Sequence, residues 1–126
     1  MQWIPSTGYY RKVLLSEKEL ESPGNVVQLL KVEAGGRIVP HHHGRTAEIF
    51  YVLKGQVILF VGDNDSLRRP GDIIFCKPNE RHGIVNDSNS AFVVIVFLLN
   101  AAKDDTYRES KISTTRESLK CWSSSR

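Results

Sequence analysis

Four side chains in this 126-residue sequence could together bind a metal ion, namely His41, His43, Glu48 and His82. Imidazole nitrogens and a carboxylate oxygen suit divalent first-row transition metals, which include iron, manganese, nickel, cobalt, copper and zinc. Side chains alternate between the two faces of a β-strand, so His41 and His43 would share one face while His42 points to the other. On residue types alone an alternative stays open, in which the histidine run is a solvated loop and His82 is a surface or core residue.

Glu48 follows the histidine run closely enough to reach it. A tight connection at residues 44–47 would place Glu48 beside His41 and His43 on a neighbouring strand. His82 lies much later in the chain and could complete the set from a distant part of the fold.

The spacing around the histidine run resembles the first motif of the cupin superfamily, G-x5-H-x-H-x3-4-E-x6-G. Gly35, His41, His43, Glu48 and Gly55 stand at its positions in register. This agreement favours the metal site over the solvated loop.

The second motif of the same superfamily, G-x5-P-x-G-x2-H-x3-N, is matched in part. Gly71, His82 and Asn86 are in register, whereas Lys77 stands at the proline position and Asn79 at the glycine position. Asparagine tolerates a left-handed backbone better than most residues, so the turn is expected to be kept with the ligand position unaffected.

The resemblance implies an all-β fold, the cupin-type double-stranded β-helix or jelly-roll barrel, with a metal inside it. The family's activities include dioxygenases, isomerases, decarboxylases, metal-free sugar epimerases and non-enzymatic binding proteins, so the fold does not settle the function. What the resemblance implies residue by residue is the ligand set itself, since all four positions hold residue types that bind metals.

Strand patterns recur at short intervals between turn residues, which is typical of an all-β domain. We predict an N-terminal arm at 1–24, a barrel at 25–100 and a polar C-terminal extension at 101–126. The arm holds a candidate edge strand at 10–15 and a single helical turn at 16–21. The extension is either a marginal helix packed on the barrel or disordered. Predicted barrel strands are 26–33, 38–43, 49–53, 57–61, 66–68, 73–77, 83–86 and 91–100, with a hairpin turn at 62–65.

Charge and hydropathy predict the partners. The net charge of +3, from 17 basic and 14 acidic residues, is not concentrated in a stripe that would bind nucleic acid. No apolar run is long enough to span a membrane, and no signal peptide is evident, so we expect a cytoplasmic protein.

Small cupins resembling this one commonly pair through sheet edges, which implies a homodimer that involves the strand at 10–15. Cys76 is expected to be a buried, inert thiol, and an intracellular location argues against a disulfide with Cys121.

A site of three neutral histidines and one glutamate leaves a divalent metal with a net charge of about +1. Iron, manganese, nickel or cobalt would keep one or two open positions, whereas zinc could fill the site with a closed or nearly closed coordination sphere. Alternation places Phe50 and Val52 on the face of Glu48, and Ile84 and Asn86 on that of His82, so the expected wall is largely apolar.

Three functions are considered. The first is a dioxygenase-like oxidoreductase that acts on a small organic substrate. Glu48 is its candidate catalytic residue, because the resemblance to some dioxygenase cupins implies that Glu48 could leave the metal and accept a substrate proton. The second is a metal-dependent isomerase or lyase, and the third is a non-catalytic module that binds a small ligand at the metal.

Overall fold

Eleven β-strands in two antiparallel sheets make up residues 2–108, the part of the chain that the structure, a computed structural model, describes. These residues include no α-helix. The six-stranded sheet has the order β1 (Ile4–Pro5), β2 (Tyr10–Leu15), β3 (Val26–Val32), β10 (Phe92–Leu99), β5 (Ala47–Lys54) and β8 (Ile73–Cys76). The five-stranded sheet has the order β11 (Thr106–Arg108), β4 (Arg37–His43), β9 (His82–Val85), β6 (Val57–Val61) and β7 (Asn64–Arg68).

The core lies between the facing sides of the two sheets. Alternate residues of the central strands are buried there, as in β10, where Phe92, Val94 and Val96 are all at most 3% exposed. Burying one such side chain stabilises the fold by about 1.5–3 kcal/mol. The all-β jelly-roll prediction is therefore confirmed. The largest buried cluster also includes Leu30, Val32, Ile38, Phe50, Val52, Val57, Leu59, Ile74, Cys76 and Ile84.

The predicted strands are found with small shifts at their ends, and one turn differs. Residues 62–65 were predicted to be a hairpin turn, but Val61 pairs directly with Asn64 and the loop has only two residues. Gly62 takes a positive φ of 55° at the first loop position. Two-residue hairpin turns require such a backbone, and their twist matches that of the flanking strands. The prediction of a four-residue turn was therefore wrong.

The N-terminal segment belongs to the six-stranded sheet. β2 pairs with β3 along most of its length, and the two-residue β1 pairs with Tyr10 and Arg11 on its other side. The segment at 16–21 forms a hydrogen-bonded turn, in which the Leu20 amide donates to the Ser16 carbonyl over 2.9 Å. Ser16 and Glu19 bond reciprocally between side chains and amides at 2.9 and 3.2 Å, the arrangement of a capping box.

The polar extension returns to the five-stranded sheet. Residues 106–108 form β11, which pairs with β4 from Thr106 opposite His43 to Arg108 opposite His41. The rest of the extension, including Cys121, lies outside the described residues. The proposed division at residues 24 and 100 stays a prediction.

Cys76 is buried and has a free thiol, and its burial raises the pKa of that thiol well above the ordinary value. The predicted burial of this cysteine is confirmed, and its chemical inertness stays a prediction that the raised pKa favours.

Four apolar side chains lie exposed on the outer face of β5 and β8. Tyr51 pairs with Ile73 in adjacent strands and Ile49 pairs with Phe75, so exposed residues of the two strands are neighbours on one surface. We call these residues the outer apolar patch: Tyr51, Leu53, Ile73 and Phe75, which are 40%, 43%, 66% and 53% exposed. No helix of residues 2–108 has the length and hydropathy needed to cross a membrane.

Candidate metal centre

The structure brings the four predicted ligands together. One donor atom from each of His41, His43, Glu48 and His82 lies within 4.8 Å of all the others. His41 and His43 are on β4, and His82 lies on the adjacent β9, where it pairs with His41. Glu48 reaches the group from β5.

The predicted route of Glu48 into the site was wrong. β4 and β5 are not neighbouring strands, because β4 belongs to the five-stranded sheet and β5 to the six-stranded sheet. The connection at 44–46 crosses from one sheet to the other instead of closing a hairpin. Glu48 therefore faces the histidines across the barrel, and His82, distant in sequence, is the residue on the neighbouring strand.

His42 lies outside the group, as strand alternation predicts. Its ring stacks on Tyr107 of β11, with ring centroids 5.1 Å apart and an interplanar angle of 19°. The outward direction of His42 supports the register that turns His41 and His43 inward.

Backbone carbonyls orient two of the histidine rings. His41 Nδ1 lies 2.9 Å from the Val39 carbonyl, and His82 Nδ1 lies 3.1 Å from the Glu80 carbonyl. A carbonyl only accepts hydrogen bonds, so each Nδ1 carries the proton and each Nε2 keeps its lone pair. The same outer-shell arrangement holds ring orientation in metal-binding histidines.

His43 is oriented by the C-terminal segment. Its Nδ1 lies 3.3 Å from the Asp105 carbonyl and 3.2 Å from the Thr106 hydroxyl oxygen. Nε2 of all three histidines is therefore the atom that remains for the site.

The Glu48 carboxylate lies against two of these nitrogens. Its Oε1 is 3.0 Å from His43 Nε2 and 2.9 Å from His82 Nε2. The second contact lacks the alignment of a hydrogen bond, so the fully buried His82 Nε2 has no hydrogen-bond partner among the described residues. A buried nitrogen without a hydrogen-bond partner indicates a missing ligand at this site. Together with the carboxylate and the two other imidazoles it forms a donor set that suits a divalent transition metal.

Burial and neighbouring charges shift the pKa values of three of the four ligands. Burial, reinforced by the nearby His82, lowers the pKa of His41 to about 3, so this ring is neutral near pH 7. Burial alone would raise the pKa of Glu48, but the surrounding imidazoles, led by the hydrogen bond with His43, outweigh burial and lower that pKa well below its usual range. Burial likewise disfavours a charged His43, yet the hydrogen bond to Glu48 prevails and raises its pKa. A metal bound at Nε2 would replace the hydrogen bond between His43 and Glu48.

Asp105 fixes the loop between the two halves of the site. Its Oδ1 accepts a hydrogen bond from the Gly44 amide at 2.9 Å. Its Oδ2 accepts from the Arg45 amide at 3.0 Å, the Thr46 amide at 3.0 Å and the Thr46 hydroxyl at 2.8 Å. These bonds, that from the Arg45 amide first, hold the pKa of Asp105 at about 2. Sequence analysis missed Asp105, because nothing near it in the chain indicates a partner about 60 residues away.

A cavity of about 840 Å³ opens above the four ligands. Ile38, Phe50 and Ile84 line it, which agrees with the apolar wall predicted for Phe50 and Ile84. Two other predicted wall residues do not line it. Val52 lies deeper in the core, and the Asn86 side-chain amide instead donates to the Val32 and Ser90 carbonyls at 2.9 Å each.

The cavity wall also includes eleven polar residues besides the four ligands, four of them basic, which sequence analysis missed. The apolar description therefore holds for part of the wall only. Basic residues outnumber acidic ones, and the Glu48 and Asp105 carboxylates are already engaged. The polar lining comprises Tyr9, Arg11, Glu17, Gln28, Arg45, Thr46, Asn100, Lys103, Asp105, Thr106 and Arg108.

Comparison with known proteins gives concordant matches. Residues 28–98 match the family model described as cupin domain. The oxalate-binding protein of Thermotoga maritima is 27% identical over 88 residues, which cover 68% of this chain and 73% of that protein.

Two solved structures share the fold. A predicted oxalate decarboxylase from Thermotoga maritima has a TM-score of 0.67 and 23% identity, over 72% of this chain and 79% of that chain. The polyketide cyclase RemF from Streptomyces resistomycificus has a TM-score of 0.73 and 18% identity, over 97% of this chain and 87% of that chain. Identities this low establish a common fold and nothing about activity.

Proposed function

This chain belongs to the cupin domain family, and from that premise we propose that it binds one divalent transition metal and uses it on a small, oxygen-donor organic molecule. The ligands are His41, His43, Glu48 and His82. The observation that carries the proposal is the buried His82 Nε2, which has no hydrogen-bond partner among the described residues and lies 2.9 Å from Glu48 Oε1.

The donor set and the cavity favour an anionic molecule. Three neutral imidazoles and one carboxylate leave a divalent ion with a charge of about +1, which attracts an oxygen anion to its open positions. The four basic residues of the cavity wall act in the same direction, namely Arg11, Arg45, Lys103 and Arg108. The oxalate-binding relative supports this choice, since oxalate is a small anion with two oxygen-donor groups.

The reaction that we propose is a dioxygenase-like oxidation. Bound iron or manganese would supply Lewis acidity and one-electron redox chemistry there. Glu48 is the catalytic residue of this proposal, because its carboxylate lies among the metal ligands and, once released from the ion, could accept a proton from a bound substrate. Phe50 and Ile84 exclude water from one side of the reacting molecule.

A second candidate is non-catalytic binding of a small carboxylate at the same metal. The observation that favours it is the similarity to the oxalate-binding protein of Thermotoga maritima. A lyase that releases carbon dioxide without oxygen uptake is the third outcome that the experiment below distinguishes.

The test begins with protein purified without a His tag. Elemental analysis should return about one transition metal ion per chain, and it should return almost none in His82→Ala. Protein reconstituted with iron(II) or manganese(II) is then given small carboxylic acids, phenols, diketones and thiols in an oxygen electrode. Oxygen uptake supports the oxidoreductase, and carbon dioxide release without uptake supports the lyase. Thermal stabilisation without turnover supports the binding module. A metal content unchanged in His82→Ala would overturn the site.

We also propose that the protein is a homodimer. The sequence predicts pairing through the strand at 10–15, but the first two residues of that strand already pair with β1. The outer apolar patch supports pairing through the outer face of β5 and β8 instead, since exposed apolar surface of this kind is typical of association sites. The absence of nucleic-acid and membrane partners and the cytoplasmic location stay predictions from the sequence.

A further inference from the structure

Gln28 has a buried side-chain amide, and among the described residues its oxygen has no hydrogen-bond donor. It lies on β3, is 5% exposed, and its Oε1 makes no hydrogen bond with any described residue. Its side chain lines the cavity above the metal ligands. Its neighbours across the strands, Val13 and Val96, are apolar and offer no donor. Buried polar groups are nearly always bonded, so an unpaired amide facing a cavity indicates a ligand group.

Arg11 lies beside Gln28 on the same inner face. Arg11 pairs with Leu30 across β2 and β3, and Leu30 is buried in the core, so the Arg11 side chain points inward as well. Gln28 is two residues from Leu30 along β3, which makes Arg11 and Gln28 diagonal neighbours with backbones about 7–8 Å apart. Both side chains line the same cavity. A guanidinium and an amide at this separation can bind one carboxylate together.

Nearby acidic groups leave the Arg11 guanidinium available. Glu17 is the acidic residue on this side of the cavity, and its Oε2 accepts a hydrogen bond from the Gly24 amide at 3.2 Å. The ion pairs found within residues 2–108 do not involve Arg11.

The sheet register sets the distance from this pair to the metal ligands. Gln28 pairs with Val96, Val96 pairs with Phe50, and Glu48 lies two residues before Phe50 on β5. Two strand spacings of about 4.8 Å and one two-residue step of about 6.6 Å separate the backbones of Gln28 and Glu48 by roughly 12 Å. Gln28 and Glu48 share one face of this sheet, so their polar ends stay about this far apart. A hydrogen bond of about 2.9 Å to Gln28 and two metal–oxygen bonds of about 2.1 Å each take up about 7 Å of the gap. A chain of about four to six carbons, with C–C bonds of about 1.5 Å, spans what remains, whereas oxalate does not.

We infer that Arg11 and Gln28 form a second ligand-binding point opposite the metal ligands, and that the ligand is a carboxylic acid of about four to six carbons. One end carries oxygen donors for the metal, and the other carries the carboxylate that Arg11 and Gln28 bind. The assignment of one end of the ligand to the metal rests on the function proposed above. The assignment of the other end rests only on the placement of Arg11 and Gln28.

The test measures ligand affinity by calorimetry in the metal-loaded and the metal-free protein. The probes are oxalate, succinate, glutarate and 2-oxoglutarate, with butyrate as a control that has one carboxylate. Arg11→Gln should weaken binding of the longer diacids about tenfold to a hundredfold, the usual range for a lost charge-assisted hydrogen bond, and leave oxalate unchanged. Lys12→Gln is the matched control, since Lys12 is next in the same strand and lies over the Trp3 ring.

Gln28→Leu separates ligand binding from folding. Removing an unpaired buried amide should leave the melting temperature of the free protein unchanged or raised, while the longer diacids bind more weakly. A variant that is less stable without ligand would show that Gln28 serves the fold.

Three results would overturn the inference: equal losses in Arg11→Gln and Lys12→Gln, diacids that bind no better than butyrate, or no binding of any diacid to either form. If the protein takes up no metal, the proposed function fails, and an Arg11-dependent preference for diacids in the metal-free protein would still establish the second binding point.

Discussion

Removing the Asp105 carboxylate should loosen the loop that joins β4 to β5 and so weaken metal binding. Asp105→Ala loses all four hydrogen bonds that the carboxylate accepts from residues 44–46. Asp105→Asn can keep its amide oxygen at the Oδ2 position, which accepts three of the four, but its NH₂ group then faces the Gly44 amide donor to donor. The alanine variant should therefore be much the weaker of the two.

The expected magnitude follows from what Asp105 holds in place: its carboxylate binds the loop that joins His43 to Glu48, and its carbonyl lies 3.3 Å from His43 Nδ1 as an outer-shell partner. Losing an outer-shell partner typically weakens metal binding about tenfold to a hundredfold, and we expect Asp105→Ala to fall in this range and Asp105→Asn to lose only a few-fold. Cobalt(II) titration against a chromophoric chelator measures both affinities. Asp104→Asn is the control, because it removes the same charge as Asp105→Asn and asparagine tolerates the φ of 58° at that position.

An Asp105→Ala variant that binds cobalt as tightly as Asp104→Asn would refute the reasoning, since the loop would then hold its place without the carboxylate.

Protonation of the Asp105 carboxylate in acid should loosen the loop at 44–46, as Asp105→Ala does. The pKa of Asp105 is lowered from 3.8 to about 2 by the amides that it accepts from, the Arg45 amide first. A lowered pKa means that the contribution of this group to stability is complete above its unfolded value and is lost as the pH falls through about 2. Amide hydrogen exchange at residues 44–46 should stay slow down to about pH 4. Fast exchange in the wild-type protein at pH 6 would contradict this.

The remaining predictions concern the ligands and the association surface. His43→Ala should lose most bound metal and His42→Ala should lose little, and elemental analysis that shows equal losses would mean that the strand register is wrong. Glu48→Gln should keep part of the metal but lose most turnover even with metal in excess, because both the charge and the basicity are gone; full recovery in an activity assay would limit Glu48 to holding the ion. Ile73→Lys combined with Phe75→Lys should convert a dimer into a monomer in light scattering, and a wild-type protein that is already monomeric would exclude the homodimer.

The strands could be predicted because each depends on a local pattern of residues. The positions of the ligand set could be predicted from the residue spacing within two short motifs. Alternation of apolar and polar residues marks each strand, and it correctly separated His42 from His41 and His43. Turn residues marked most strand ends. The two-residue loop at Gly62 was missed because a run of glycine, aspartate and asparagine fits a longer turn equally well.

The parts of the site that were missed depend on pairings between distant residues. Alternation within β5 shows which face Glu48 shares with Phe50, but it does not show which sheet β5 joins. Asp105 and Arg11 reach the site only because β11 and β2 pair with β4 and β3. Gln28 sits among apolar neighbours in an ordinary strand pattern, so its unpaired oxygen becomes evident only when the cavity is seen.

The division of the ligands between the sheets has a mechanical consequence. Three donors belong to one sheet and move together, whereas Glu48 belongs to the other. An ion held by all four would act as a cross-link between the two layers of the sandwich. A ligand that increased the distance between the two sheets would then strain only the bond from Glu48 to the ion. The three histidines would keep their positions relative to one another. The residue assigned here to accept a proton is thus the one that the architecture allows to detach first.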